Sequence, residues 1–226
     1  MSGASMMAPS KPTIGVALTG PDVLGAWSVT SIGPHRIAHG DIGLGAVQTL
    51  MGAEKADVFY CDPPWGEGTL RYWRTHAGDA RKPTWKTFVS YLCIDAASAV
   101  VPGGPIWVEM GLQWEADITE GLAAVGIVVT RRWMTSYASP PRPAVLLYAG
   151  PSLPADFDPS TLRGADLPRA CLAVSGRPGG LVLDPCCGKG FTARAAVSNG
   201  MVFRGCELNA ARLHVTEQWL RKRTVT

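Results

Sequence analysis

"LVLDPCCGKGFTARAA", residues 181–196, is the stretch from which the rest of the chain can be read. Three apolar residues end in Asp184, a turn carrying Gly188 and Gly190 follows, and a run of small helix-forming residues begins at Phe191. The pattern is a buried strand, a tight turn and a helix. Glycine lets the backbone approach a ligand closely, and the first turn of a helix presents free N–H groups. "MVFRGCELN" (201–209) then supplies a second strand that also ends in an acid, Glu207, 19 residues after Gly188. Rossmann-type sheets place an acid roughly 20 residues beyond the glycine turn to reach ribose hydroxyls. The two strand ends together fit a nucleoside-containing ligand.

Glycines alone would mean no more than a tight turn; the acids at both strand ends are what argue for a ligand. "CCGKGFT" lacks the leading glycine of a Walker loop. A pyrophosphate is disfavoured too, because Asp184 at the entrance to the turn would repel it. The acid suits a cationic ligand, such as the amino group of S-adenosylmethionine.

Working outward, short apolar runs alternate with longer helical stretches, the pattern of an α/β sheet with helices on both faces. Strands are expected at 36–39, 57–61, 105–109, 127–131, 144–148, 181–183 and 202–206. Helices are expected at 42–51, 85–100, 112–125, 167–175, 191–198 and 210–223. The run 138–166, rich in Pro, Ser and Asp around one strand, reads as an exposed excursion and the place for a small recognition insert. Residues 1–12 read as a loose tail, leaving a single domain over 13–226.

The composition, 46% apolar and 17% charged over 226 residues, is that of a globular chain with a sizeable core. No apolar run reaches the length of a membrane span, and the N-terminus lacks the apolar stretch of a signal peptide, so a cytosolic protein is expected. The net charge of +3 permits a polyanionic partner without demanding one. Six cysteines lack paired metal-finger spacing and are expected as reduced thiols. Cys61, Cys186, Cys187 and Cys206 all fall at strand ends. A metal cluster is conceivable there, but compact residues lining a cleft, open to alkylation, are the preferred reading.

A further motif, "FYCDPPWGEG" (59–68), ends an apolar strand in Asp62 and two prolines, which cannot continue a sheet ladder. "DPCCGKG" resembles the cofactor motif of amino-group methyltransferases, usually Asp-Pro-Phe-Cys-Gly-Ser-Gly. "DPPW" at 62–65 resembles their catalytic Asp-Pro-Pro-aromatic motif, and "RIAHGD" at 36–41 resembles the Gly-Asp motif that precedes it. The catalytic motif comes first in the chain, as in the permuted β-class arrangement. The resemblance covers residues 36–223. Cys186 and Lys189 replace the family's Phe and Ser. About 120 residues separate the two motifs, too few for a large recognition domain.

The resemblance implies a Rossmann-like methyltransferase fold, a mostly parallel seven-stranded sheet with helices on both faces. It implies S-adenosylmethionine as cofactor, held by Asp41, Asp184, Cys186, Gly188, Gly190, Phe191, Glu207 and Asn209, with no metal. Asp41 would contact the adenine or its ribose; its plainer role is to cap the following helix, and both can hold together. The segment "DLPRACLAV" (166–174) occupies the place of the family's helix at the methionine end. Asp62, Pro63, Pro64 and Trp65 would be catalytic. The exocyclic amine of adenine or cytosine is a poor nucleophile because its lone pair is delocalised into the ring. The Asp62 carboxylate and the Pro63 carbonyl can accept its two N–H groups and aim the lone pair at a methyl donor, which is preorganisation. Trp65 would stack on the base, flipped out if the substrate is a duplex.

Basic and aromatic residues follow this turn: Arg71, Trp73, Arg74, Arg81 and Lys82 suit a mobile loop over a nucleic-acid strand, with Arg131 and Arg132 adding phosphate contacts. A solvated loop with packed aromatics is the alternative. Asp at position 62 favours adenine N6 in DNA as the target, while cytosine N4 and RNA stay open. Two competing functions are a catalytically silent nucleic-acid-binding subunit and methylation of a protein or small-molecule amide. The small recognition excursion points to a homodimer or a second specificity subunit.

Overall fold

The structure, a computed structural model, describes residues 28–137 and 141–224. The tail expected at 1–12 and residues 138–140 of the expected excursion lie outside the described residues. Among the described residues eight strands form one sheet: β1 (Ser28–Ile32), β2 (His35–His39), β3 (Val58–Cys61), β4 (Ile106–Gly111), β5 (Arg131–Tyr137), β6 (Arg142–Ala149), β7 (Leu181–Asp184) and β8 (Val202–Glu207). The order across the sheet is β1-β2-β8-β7-β3-β4-β6-β5. The helices are α1 (Ala46–Met51), α2 (Gly66–His76), α3 (Trp85–Ala99), α4 (Glu115–Ala124), α5 (Asp166–Ser175), α6 (Phe191–Ser198) and α7 (Ala210–Thr224).

The sheet is mixed and eight-stranded, which corrects the expected mostly parallel seven. Strands β2, β8, β7, β3 and β4 run parallel to one another. Three pairs are antiparallel: β1 with β2, β4 with β6, and β6 with β5. Chain length dictates two of these. Only four residues link Tyr137 to Arg142 and only two link Ile32 to His35, while a parallel crossover needs a dozen or more.

Side-chain alternation along the buried β3 divides the core into two. Phe59 and Cys61 point into a cluster with Leu92 and Phe88 of α3, Leu50 of α1 and Ile118 of α4. Val58 and Tyr60 point into the other, with Leu172 of α5, Ala193 of α6 and Leu220 of α7. Helices therefore cover both faces, as the alternating sequence pattern required. No described helix is long and apolar enough to cross a membrane.

Three local expectations are corrected. The apolar run 127–129 is not a strand: Ile127 and Val129 pack against the core, and pairing starts at Arg131. Residues 66–76 form a helix rather than a mobile loop. The helix is anchored by tertiary bonds, including the Trp85 backbone N–H donated to Glu67 Oε2 at 2.7 Å. The stretch after residue 140 is packed instead of projecting: β6 is buried from Ala144 onward, Leu153 is buried, and the Phe157 ring meets Trp107 at 5.9 Å.

Candidate active site

Four acids stand at the carboxyl ends of four neighbouring parallel strands. Across the sheet they run Asp41 after β2, Glu207 on β8, Asp184 on β7 and Asp62 after β3. After β7 the chain enters α6 on one face of the sheet, and after β3 it enters α2 and α3 toward the other. The crevice between β7 and β3 is thus where the connections diverge, the usual ligand position in open α/β sheets. A cleft of ≈ 270 Å³ opens there, lined by Asp41, Asp62, Pro63, Pro64, Trp65, Trp73, Tyr137, Cys186, Glu207 and Arg212, among others.

The glycine turn packs closely against α7. Gly188 (φ 54) and Gly190 (φ 83) both adopt left-handed backbone. A methyl group on Gly190 would sit 2.7 Å from Thr216 Oγ1, and one on Gly188 would overlap the Arg212 guanidinium. Glu207 is bound into this turn: its Oε2 accepts the Gly188 N–H at 2.9 Å and its Oε1 accepts the Asn209 N–H at 2.8 Å. Asn209 in turn caps α7, its Oδ1 accepting the Arg212 N–H at 3.1 Å, and it ties α2 through the His76 carbonyl. Of the expected cofactor residues, Asp41, Cys186 and Glu207 line the cleft, whereas Asp184, Gly188, Gly190, Asn209 and Phe191, the last 46% exposed at the start of α6, stand outside its lining.

Burial dominates the acid–base character. Asp184 is only 2% exposed, and burial pushes its carboxyl up to about 7 against the opposing bonds from the Thr192 hydroxyl and the Cys186 N–H. Burial likewise pushes Asp62 up to about 6, offset by the Trp65 N–H and by Arg212. Glu109 on β4, bonded by the Tyr60 hydroxyl at 3.1 Å, is pushed to about 8 by burial and by the charge of Asp62. Glu207 is also raised, chiefly by burial. Cys61, Cys187 and Cys206 are buried thiols pushed well up, so they pack as small apolar groups. Cys186 is raised too: its bond with Cys61 works against burial and the neighbouring acids and is outweighed. Among the described residues no three His, Cys, Asp or Glu side chains gather as a metal site.

Asp41 takes the capping role: its Oδ1 accepts the Gly43 N–H at 2.8 Å at the start of the 3₁₀ turn Ile42–Leu44. Its Oδ2 is held by Arg74 at 2.8 Å and by Arg81 at 3.2 Å. Arg74 is buried and also paired with Asp79, so it offers no free face to a phosphate. Arg81 is similarly bound to Asp79 at 2.9 Å. Arg71, Arg81 and Lys82 border a second groove beside the cleft, and Trp73 lies in the cleft itself under the Arg212 guanidinium, 4.1 Å from its ring centre. Arg131 and Arg132 are not brought there. They begin β5, whose far end carries Tyr137, about 20 Å away at the usual rise per strand residue. Arg132 forms a two-pronged bond with Glu115 at 2.6 and 2.7 Å. Sequence reading missed Tyr137, Arg212 and Glu109, which reach the site only through the tertiary fold.

No protein-family model matches the chain. No curated protein matches it either. Solved structures do. The M1.HpyAVI–SAM complex superposes with TM-score 0.60 at 16% identity, covering 81% of this chain and 97% of that chain. TTHA0409 from Thermus thermophilus, complexed with S-adenosyl-L-methionine, gives 0.60 at 16% identity over 84% and 95%. The PvuII DNA methyltransferase, cytosine-N4-specific, gives 0.61 at 12% identity over 82% and 85%. Likeness at such identities establishes a shared fold.

Proposed function

We propose that this chain transfers a methyl group from S-adenosylmethionine to an exocyclic amine of a nucleic-acid base, with adenine N6 in DNA as the preferred target. The observation that carries the reading is one cleft lined by Asp62 and Pro63 after β3, by Cys186 of the turn after the adjacent β7, and by Glu207 at the end of β8. The fold shared with a DNA methyltransferase and with two proteins crystallised with this cofactor supports it.

The residues present fit the cofactor. Asp184 is a buried carboxyl whose hydrogen-bond partners among the described residues are Thr192 and Cys186, so it wants a cation that the protein does not supply. In this reading Asp184 holds the amino group, Glu207 the ribose hydroxyls, and Gly188 and Gly190 allow close approach. Asn209 fixes Glu207, Phe191 opens the helix beyond the turn, and Cys186 lines the wall. Asp41 sits beside Glu207 at the adenine end, since the Gly40 N–H bonds the Glu207 carbonyl at 3.0 Å. When bound, the cofactor supplies an electrophilic methyl group on a sulfonium.

The chain's own groups prepare the amine. Ionised above about pH 6, Asp62 accepts one N–H and the Pro63 carbonyl the other, pyramidalising the nitrogen. Pro64 stiffens the turn. After transfer the nitrogen carries a surplus proton, and Asp62 is placed to take it. Trp65 and Tyr137, in edge contact at 4.8 Å, form the aromatic side of the cleft. Arg71 and Lys82 would meet phosphates alongside. With no large recognition module, sequence selectivity would come from a second copy or a second subunit.

Incubation with labelled cofactor and pools of DNA, RNA and protein, followed by nucleoside mass spectrometry, tests the reading. N6-methyladenine in DNA is expected. N4-methylcytosine, the product that the PvuII likeness favours, would move the target base, and labelled RNA would move the polymer. No labelled nucleoside would refute the proposal in favour of a silent subunit or an amide substrate. Asp62→Ala should abolish transfer while leaving cofactor binding measurable by calorimetry, and a fully active variant would remove Asp62 from the mechanism.

A further inference from the structure

We infer that Trp65 serves this reaction as the hydrogen-bond donor that orients Asp62, and that Gly111, at the end of β4, is the platform that sets the indole for the task. The inference rests on the methyl-transfer reading above. The Trp65 Nε1–H donates to Asp62 Oδ1 at 2.9 Å, and among the described residues it is the donor that Asp62 has. One carboxylate oxygen is thereby fixed, and Oδ2 is left for the amine. Phenylalanine in this place would keep a ring but offer no donor.

Gly111 explains how the indole stays in place. Its backbone, at φ −63 and ψ 132, is ordinary extended geometry open to any residue, so conformation does not demand glycine. Space does. A Cβ at Gly111 would lie 2.9 Å from Trp65 Cε3 and 3.3 Å from Cδ2, both rigid ring atoms. Tyr137 closes in from β5, its ring centre 4.8 Å away at 61°. Trp65 is therefore held between the ends of two strands with its N–H aimed at Asp62.

The role has a pH signature. The titratable groups interacting with Asp62 are Tyr60 and Cys61 on its own strand, Glu109 on β4, Tyr137 on β5, Asp184 and Cys186 at the end of β7, and Arg212 on α7, and Arg142 on β6 lines the same cleft. Of these, Arg212 favours the carboxylate, and so does the indole N–H, while burial opposes it. Removing the N–H donor must raise the Asp62 pKa, which moves the acid limb of kcat to higher pH.

The test compares the parent with Trp65→Phe, which keeps the ring, and Gly111→Ala, which keeps the indole but displaces it. kcat and KM for DNA are measured from pH 5 to 9 with saturating S-adenosylmethionine. The Trp65 indole ¹⁵N–¹H resonance is followed over the same range in the parent and in Asp62→Asn. Both variants should lose about tenfold in kcat at pH 8, as expected for one bond to a charged group. Their acid limbs should rise by roughly one pH unit, with KM for DNA changed less than about threefold. The parent's indole resonance should titrate near pH 6, and Asp62→Asn should abolish that titration. Cofactor affinity by calorimetry and thermal midpoints near the parent's would show that both variants fold. An unmoved acid limb in folded Trp65→Phe, or an indole resonance that does not titrate, overturns the positioning role while leaving methyl transfer intact. A parent that binds cofactor but methylates no nucleic acid overturns the proposed function, and this role falls with it.

Discussion

Asp184 should make cofactor binding depend steeply on pH. In the free protein burial holds its carboxyl at about 7, reinforced by Asp62 and Glu207 and only partly offset by Thr192 and the Cys186 N–H. A cationic ammonium alongside it favours the ionised form and draws the pKa down toward the ordinary carboxylate value of about 3.9. Below pH 7 the free carboxyl is mostly protonated and must shed a proton when the ligand arrives. Affinity should therefore fall as pH falls, with a limiting slope of tenfold per unit. With a midpoint of about 7, half the carboxyl is ionised at pH 7 and about 3% at pH 5.5, so the dissociation constant should rise roughly fifteenfold between them. The ligand's α-amino group, with an ordinary pKa near 8, stays charged across that window and does not blur the effect. Calorimetry at pH 5.5, 6 and 7, in two buffers of different ionisation enthalpy, counts the protons directly. Close to one should be released per cofactor bound at pH 6. Asp184→Asn should bind more weakly at pH 7 and lose most of the slope, any remainder belonging to Glu207. A dissociation constant that changes less than threefold across the window, or an Asp184→Asn variant with the parent's slope, would refute the pairing.

Two further predictions concern the frame that holds the site. Gly66 has φ 82, and a methyl group there would overlap the Trp114 indole. Left-handed strain of about 1–2 kcal/mol plus overpacking of about 1–3 kcal/mol should make Gly66→Ala about 3 kcal/mol less stable in urea titration. A loss below about 1 kcal/mol would deny the contact. Asp95 is a buried acid on α3 that accepts the Gln48 side-chain N–H at 2.6 Å through one oxygen; the other oxygen is unpartnered. Burial pushes its carboxyl to about 7. Because the folded pKa is raised, the parent should lose stability as pH climbs from about 4 to 7, whereas Asp95→Asn should not. The gap between them should widen by at most about 4 kcal/mol and be complete by pH 8. Urea midpoints at pH 5 and pH 8 that move in parallel would contradict this.

What could be read from sequence was chemistry confined to one strand and its turn. "VFYC" and "LVLD" are apolar runs closed by an acid and a proline, so the elements and the placement of Asp62 and Asp184 followed from neighbouring residues alone. β1 was missed because SVTSI is half polar and lies at the sheet edge, where burial imposes little pattern. α2 was hidden by Gly66 and Gly68, which read as loop. Its first residue uses the positive φ that glycine permits, and its buried Arg74 is held by Asp41 and Asp79, partners the local sequence does not declare. The run 127–129 misled because apolar residues packed beneath a sheet look like a strand until pairing is known. Asp41 was read with two roles, and the fold shows the cap; its part in the cofactor remains a proposal. Arg212 gave no signal, being one helical residue among several, and only the packing of α7 on the glycine turn brings it to the cleft.

The distribution of charge over the site bears on what can enter it. Asp62, Asp184 and Glu207 stand on three adjacent strand ends, and burial raises all three carboxyls. A phosphate placed among them would meet repulsion from each. Of the nearest cations, Arg74 and Arg81 are bound by Asp41 and Asp79, and Arg212 is drawn to Glu207 at 3.7 Å and to the Trp73 face, while the exposed Arg142 at the start of β6 also lines the cleft. Arg71 and Lys82 are exposed along the neighbouring groove. Such a layout suits a cation and a neutral ring among the acids and leaves a phosphate backbone to the exposed basic residues, Arg142 among them. In the proposed reaction these demands meet in a single nucleotide turned out of its stack, whose amine can reach Asp62 while its phosphates stay with the outer basic residues. A free nucleotide would not be held in that way, because its phosphates would lack the continuous strand that keeps them at the rim.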